Sequence, residues 1–110
     1  MKYLLALLLF PTVAVAEAPK VVAARAEGQT IHVTIAHPDT GWDHYADGWE
    51  VVTADGTVFG LRELLHPHET EQPFTRSLTL DAPLPAGPVF VRARCSVDGW
   101  GAALAEVARD

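Results

Sequence analysis

The sequence predicts an all-β protein, namely a seven-stranded antiparallel β-sandwich of the immunoglobulin or fibronectin type III kind. The first observation behind this prediction is that apolar and polar residues alternate in short segments, which is typical of half-buried strands. The second is that turn residues separate these segments at intervals of about 8–12 residues, as in sandwich domains. The third is Trp49, which lies in the third segment, where sandwich domains pack an aromatic side chain between their sheets.

Each predicted strand is supported by its alternation and by the turn that ends it. In the third strand Trp49 is expected to point inward and Glu50 outward, and Asp55-Gly56 is typical of a two-residue hairpin turn. Residues 98–101 are expected to form the turn after the sixth strand. The last segment is assigned to a strand rather than a helix because it can pair with the sixth strand. The seven predicted strands span residues 21–26, 30–37, 48–54, 57–61, 76–81, 88–96 and 102–108.

The N-terminal segment has the pattern of a secretory signal peptide. Lys2 is followed by an apolar run over residues 4–10 and by Ala14-Val15-Ala16, a small-residue cleavage site. We therefore expect residues 1–16 to be a signal peptide and residues 17–110 to be a single β-sandwich domain. This pattern predicts a secreted protein, located in the periplasm of a Gram-negative bacterium.

The charge and the cysteine count narrow the possible partners. Fourteen acidic residues against eight basic ones give a net charge of −6, and the basic residues form no cluster. Nucleic acids and anionic membranes bind basic patches, so we expect neither as a partner after signal cleavage. A single cysteine allows no internal disulfide bond. We expect a monomer that binds another protein or a small ligand.

Three loops are expected to meet at one end of the sandwich, here called the loop pole. In an antiparallel sandwich alternate connections lie at opposite ends, which places residues 38–47, 66–75 and 96–101 together. Loops on a rigid scaffold commonly carry function. The loop pole is therefore where we expect a site.

A metal site is the first hypothesis for the loop pole. Neutral imidazole is the most common ligand of transition metals, and carboxylates can complete such a site. The donor set would suit Zn(II) or Cu(II), although no established metal-binding spacing is present. In the alternative, the histidines and aspartates only form hydrogen bonds that order the loops. The candidate ligands are His37, His44, His66, His68, Asp43 and Glu69.

A recognition surface is the second hypothesis. Aromatic side chains on sandwich loops can stack on carbohydrates or anchor a partner protein, in which case the histidine loops would be purely structural. Some of these aromatic side chains are expected instead to fold back onto the core. The candidate surface comprises Trp42, Tyr45, Asp47, Phe74, Asp98 and Trp100.

Catalysis is not expected from the sequence. A sandwich of this size has little room for a cleft, and neither Ser77 nor Ser96 has an identifiable catalytic partner. Cys95 alternates inward with the apolar residues of the sixth strand and is expected to be an inert core residue, or an additional metal donor if its face is assigned wrongly. The sequence thus predicts a non-enzymatic binding module.

Two longer motifs carry a resemblance. The segments Gly-Trp-Asp-His-Tyr-Ala-Asp at residues 41–47 and His-Pro-His-Glu-Thr-Glu-Gln-Pro-Phe-Thr-Arg at residues 66–76 resemble those of a group of small secreted bacterial proteins of unknown function. The resemblance covers essentially all of the chain after the signal peptide. It implies the immunoglobulin or fibronectin III-like fold and the secreted location, and it implies no activity.

Overall fold

The computed structural model describes residues 18–109, which contain strands, turns and no helix. The predicted signal peptide lies outside the described residues. Within them no helix is long and apolar enough to cross a membrane. The strands are β1 Lys20–Glu27, β2 Thr30–Ala36, β3 Ala46–Thr53, β4 Val58–Glu63, β5 Phe74–Thr79, β6 Val89–Cys95, β7 Gly99–Trp100, β8 Ala105–Glu106 and β9 Ala108–Arg109.

The strands form two sheets that enclose one apolar core. The first sheet has the order β5-β2-β1-β9, and the second has the order β4-β3-β6-β7, with β8 also paired to β6. The alternation seen in the sequence places one apolar row of each sheet inside. Ile31 and Val33 from β2 meet Trp49 from β3 and Val91 from β6, and all four are 0% exposed. The predicted all-β, two-sheet architecture is confirmed.

The C-terminal part differs from the prediction of a single seventh strand. The predicted turn at residues 98–101 contains β7, which pairs with β6 because Gly99 adopts a φ of 77° and reverses the chain at once. After it, β8 pairs with β6 as expected, whereas β9 crosses over and runs parallel to β1. Val107 lies between β8 and β9, donates its N–H to Val89 O at 2.9 Å and is buried. The described residues therefore contain nine strands, three of them two residues long.

Glu50 is a second difference, because it is buried and not exposed to solvent. Its strand, β3, lies inside the second sheet between β4 and β6. The carboxylate of Glu50 accepts a hydrogen bond from Arg92 Nε at 2.5 Å across the β3–β6 pair. A buried charge of this kind requires such a partner. The outer face of β3 is therefore covered by its neighbours.

The predicted meeting of three loops at the loop pole is confirmed by hydrogen bonds between them. The backbone N–H of His37 donates to Gln72 Oε1 at 3.0 Å, which ties the β2–β3 loop to the β4–β5 loop. The backbone N–H of Ser96 donates to Tyr45 O at 2.9 Å, which ties the loop after β6 to the same β2–β3 loop. These bonds hold the candidate side chains of all three loops at one end of the core.

Candidate metal centre

His37, which directly follows β2, supplies the most deeply buried imidazole of the loop pole. Its side chain is 0% exposed, and its Nδ1 lies 2.6 Å from Asp39 Oδ1. An ionised carboxylate only accepts hydrogen bonds, so Nδ1 is the donor and the neutral ring keeps its free lone pair on Nε2. That Nε2 atom is buried without a hydrogen-bond partner in the described structure.

Asp39 positions this ring through three hydrogen bonds. Besides His37, it accepts the backbone N–H of Ala46 at 3.0 Å on Oδ1 and the backbone N–H of His68 at 2.8 Å on Oδ2. Its side chain is 0% exposed. A buried carboxylate that holds an imidazole by Nδ1–H is the usual support of a metal-binding histidine, because it sets both the tautomer and the ring orientation.

His44 and Cys95 bring two further donor atoms next to His37. The His44 ring lies edge-on to the His37 ring, with 4.9 Å between centroids and an interplanar angle of 77°. Its Nε2 is likewise buried without a hydrogen-bond partner among residues 18–109. Cys95 ends β6 and is 1% exposed. One donor atom from each of these three residues lies within 4.8 Å of the other two.

This group has the chemistry of a transition-metal site. Buried nitrogen atoms nearly always have a hydrogen-bond partner, so two unpartnered imidazole nitrogens side by side require an explanation. Two imidazoles and a thiol are ligands that borderline metals such as Zn(II) and Cu(II) accept. No other group of three such side chains is close enough to share an ion in the part of the chain that the structure describes.

Asp98 lies at the solvent side of this group, in the turn between β6 and β7. Its Oδ2 is 3.6 Å from Cys95 Sγ and 3.7 Å from His44 Nε2. The side chains of Asp98 and His44 are 26% and 32% exposed. The inner donors are therefore sealed, and the outer side of the group is open to water.

The other predicted ligands lie outside the group. His66 is exposed, and its Nδ1 is 3.1 Å from Pro67 O. Asp43 and Glu69 are also exposed, and both carboxylates approach Gly41, where an added Cβ would lie 3.4 Å and 3.2 Å from them. Of the six predicted ligands only His37 and His44 thus belong to this group, whereas His66 and His68 pack against each other elsewhere, with 4.5 Å between ring centroids.

His68 is also buried, but its imidazole contacts Phe74 and Arg76 and not the two histidines of this group. Its ring stacks on Phe74, with 3.7 Å between centroids and an interplanar angle of 8°. Arg76 Nη2 lies 2.8 Å from His68 Nε2, and because arginine only donates, Nε2 must be the acceptor. Burial, together with the positive charge of Arg76 and the neighbouring His66, lowers the pKa of His68 below its usual value. The lone pair of this imidazole is therefore already in use.

The predicted recognition surface is divided by the structure. Phe74 is 2% exposed, so it packs into the core beneath His68 and presents no surface. Asp47 accepts a hydrogen bond from Arg94 Nε at 2.7 Å, and Trp100 lies against the guanidinium groups of Arg92 and Arg94, 4.9 Å and 5.1 Å from its ring centroid. Asp98 is exposed as well, and Trp42 is largely exposed, at 68%. It meets the half-buried Tyr45 edge-on at 5.6 Å.

Two residues of the site were assigned other roles from the sequence. Cys95 faces inward as predicted, and its position at the last residue of β6 also places its Sγ beside the two histidines. Asp39 is one of the loop aspartates expected only to form hydrogen bonds that order the loops. The spacing His37-Pro-Asp39 was the available signal, because a carboxylate two residues after a histidine can bond its Nδ1.

No protein-family model matches the chain. A protein of Halomicrobium mukohataei named "Putative lipoprotein" is 48% identical over 69 residues, which are 63% of this chain and 34% of that protein. The chain thus spans about a third of the length of this curated relative. Among solved structures, a superoxide reductase (neelaredoxin) from Ignicoccus hospitalis matches with a TM-score of 0.49 and 16% identity, over 86% of this chain and 81% of that chain.

The match to the superoxide reductase contradicts the prediction that the protein is not an enzyme. That prediction rests on the small size of the sandwich, which leaves little room for a cleft, and on the lack of an identifiable catalytic partner for Ser77 or Ser96. The matched chain is of similar length, and its name is that of an enzyme. The slight likeness itself carries no activity to this chain.

Proposed function

We propose that the protein is an exported metal-binding protein that holds one transition-metal ion through His37, His44 and Cys95. The observation that carries this proposal is that two imidazole rings with buried, unpartnered nitrogens lie beside a buried thiol, with one donor atom of each of the three residues within 4.8 Å of the other two. Leaving a buried polar atom without a partner costs about 1–3 kcal/mol. A metal ion bound to both nitrogens would remove that cost at each of them.

The donor set favours Zn(II) or Cu(II). Zinc accepts mixed nitrogen and sulfur ligands in tetrahedral sites, and copper occurs in sites built from two histidines and one cysteine. Binding requires the thiolate form of Cys95, so a bound ion would replace the thiol proton. The Asp39 carboxylate would support the His37 ligand by strengthening its basicity.

The name of the Halomicrobium relative supports export across a membrane, in agreement with the signal peptide expected at residues 1–16. We place the mature domain in the bacterial periplasm. The sandwich itself fits the immunoglobulin or fibronectin III type, because β1, β2 and β5 share one sheet and β3, β6 and β7 the other. This is the distribution of strands A, B, E and C, F, G in that class.

Metal titration of the metal-free protein tests the proposal. Zn(II) or Cu(II) should bind at one ion per chain and raise the stability of the folded state, by about 2.7 kcal/mol when the free metal is at 100 times Kd. His37→Ala, His44→Ala and Cys95→Ala should each remove most of this gain. Elemental analysis and urea unfolding with and without metal measure both quantities.

His32→Ala is the matched control, because His32 lies on the outer side of β2 and bonds Ser77 Oγ at 2.6 Å, away from the group. It should respond to metal as the wild type does. Absence of any stabilisation in the wild type at neutral pH, or equal stabilisation of all variants, would reject the site. His66→Ala should also respond normally, which separates this site from the one expected from the sequence.

A further inference from the structure

We infer that Asp98 is the fourth ligand of the metal site and closes its solvent side with a carboxylate oxygen. This inference rests on the proposed function, since it concerns the same ion. It specifies the number of protein ligands, which decides whether an outside molecule can bind the metal. A site with four protein ligands is closed, whereas one with three keeps a position for water or substrate.

Asp98 contacts both Cys95 and His44 through the same carboxylate oxygen. Its Oδ2 accepts a hydrogen bond from Cys95 Sγ at 3.6 Å, an ordinary length for a sulfur donor, and lies 3.7 Å from His44 Nε2, within ion-pair range. A metal ion that replaced the thiol proton would therefore lie between Cys95 Sγ and this oxygen.

The same spacing agrees with the edges of a tetrahedron around a metal. With metal–ligand lengths of about 2.3 Å for sulfur, 2.05 Å for nitrogen and 2.1 Å for oxygen, tetrahedral angles separate sulfur and oxygen by about 3.6 Å and nitrogen and oxygen by about 3.4 Å. The measured separations are 3.6 Å and 3.7 Å. The spacing of Asp98 from Cys95 and His44 thus matches that of a fourth ligand, while its carboxylate lies outside the 4.8 Å group that includes His37 and would turn toward that imidazole when a metal binds.

Exposure shows which side Asp98 closes. His37 and Cys95 are sealed in the core, at 0% for the imidazole and 1% for the cysteine, whereas the Asp98 side chain is 26% exposed. Asp98 is three residues after Cys95 in the turn that leads to β7, so this turn places its carboxylate next to the Cys95 thiol. Oxygen is a hard donor, which favours Zn(II) over Cu(I) in the completed site.

Cobalt substitution tests the assignment. Co(II) bound to the wild type should show the intense visible bands of four-coordinate cobalt, and sodium azide should leave them unchanged because no position is open. In Asp98→Ala, Co(II) should bind at least about tenfold more weakly, and azide should change the visible spectrum. Asp98→Asn, which keeps the shape of the side chain, should also weaken binding.

Asp43→Ala is the matched control, because Asp43 is an exposed carboxylate of the neighbouring loop. It should bind Co(II) as the wild type does and stay insensitive to azide. Equal Co(II) affinity in wild type and Asp98→Ala, or the same azide response in both, would overturn the role of Asp98. Failure of the metal site itself would look different, since the wild type would then lack the near-ultraviolet thiolate-to-cobalt absorption.

Discussion

Replacing Asp39 with asparagine should weaken metal binding without touching a ligand. The carboxylate accepts three N–H groups, from the His37 ring and from the backbones of Ala46 and His68. Asparagine offers one oxygen and one NH₂ group, so at least one of these donors must face another donor. If the NH₂ group faces His37, the ring must move its proton to Nε2 and loses the lone pair that would bind the metal.

The size of the effect follows from this arrangement. A lost supporting carboxylate typically lowers metal affinity by about 10–100-fold. At a free metal concentration of 100 times the wild-type Kd, the metal should stabilise the wild type by about 2.7 kcal/mol and Asp39→Asn by only about 0.4–1.4 kcal/mol. One mismatched buried donor should also lower the stability of the metal-free variant by about 1–3 kcal/mol.

Urea unfolding of both proteins, with and without Zn(II), measures the two effects separately. At a slope of roughly 1.5 kcal/mol per molar urea, the metal-free midpoint should fall by about 0.7–2 M. Asp43→Asn is the control, because Asp43 is exposed on the same loop and should change neither quantity. The reasoning would be refuted by an Asp39→Asn variant that keeps the full stabilisation by metal, or by an equal loss in the control.

Two further predictions concern stability alone. The pKa of His68 is lowered by burial and by Arg76, so the folded state binds the proton less readily than the unfolded state, whose value is near 6.5. Its contribution to stability is therefore complete above that pH and is lost as the pH falls through the lower folded pKa, with a slope of at most about 1.4 kcal/mol per pH unit. His68→Gln should therefore reduce the pH dependence of the metal-free urea midpoint between about pH 5 and pH 7, roughly the titration range of histidine. An unchanged pH dependence would contradict this. Gly60→Ala would put a Cβ 2.7 Å from Leu80 Cδ2, so overpacking should cost about 1–2 kcal/mol by urea unfolding. Val58→Ala, at an exposed position of the same strand, should cost under about 0.5 kcal/mol, and equal losses in the two variants would reject the clash.

The longer strands could be predicted because their side chains alternate between core and solvent. The second predicted strand, at residues 30–37, matches β2 closely, since Ile31, Val33 and Ile35 are buried and the residues between them are half-buried. The C-terminal segment lacks such a pattern. Its pieces are two residues long, and their partners are set by the turn at Gly99 and by the burial of Val107, which are tertiary effects.

The place of the site was predictable from strand order, whereas its membership was not. Alternate loops of an antiparallel sandwich must share an end, which brings His37, His44 and Asp98 to one pole. Which imidazoles turn inward depends on contacts that no spacing reveals. His68 stacks on Phe74 and receives Arg76, whereas His37 is held by Asp39. The role of Cys95 was hidden because the last inward position of a strand looks like any other core position.

The antiparallel pairing of β1 with β2 decides where the two ends of the domain emerge. Lys20 pairs with Ala36, next to His37, and Ala18 lies against Gly101, where an added Cβ would be 3.1 Å from the Ala18 Cβ. At the other end of β1, Ala26 pairs with Arg109. A group fused ahead of Ala18 by a short linker is therefore held near the loop pole at an effective concentration in the millimolar range. An oligohistidine tag placed there would compete for the same ion, whereas a tag after Arg109 would sit at the far end of the sandwich and leave metal measurements undisturbed.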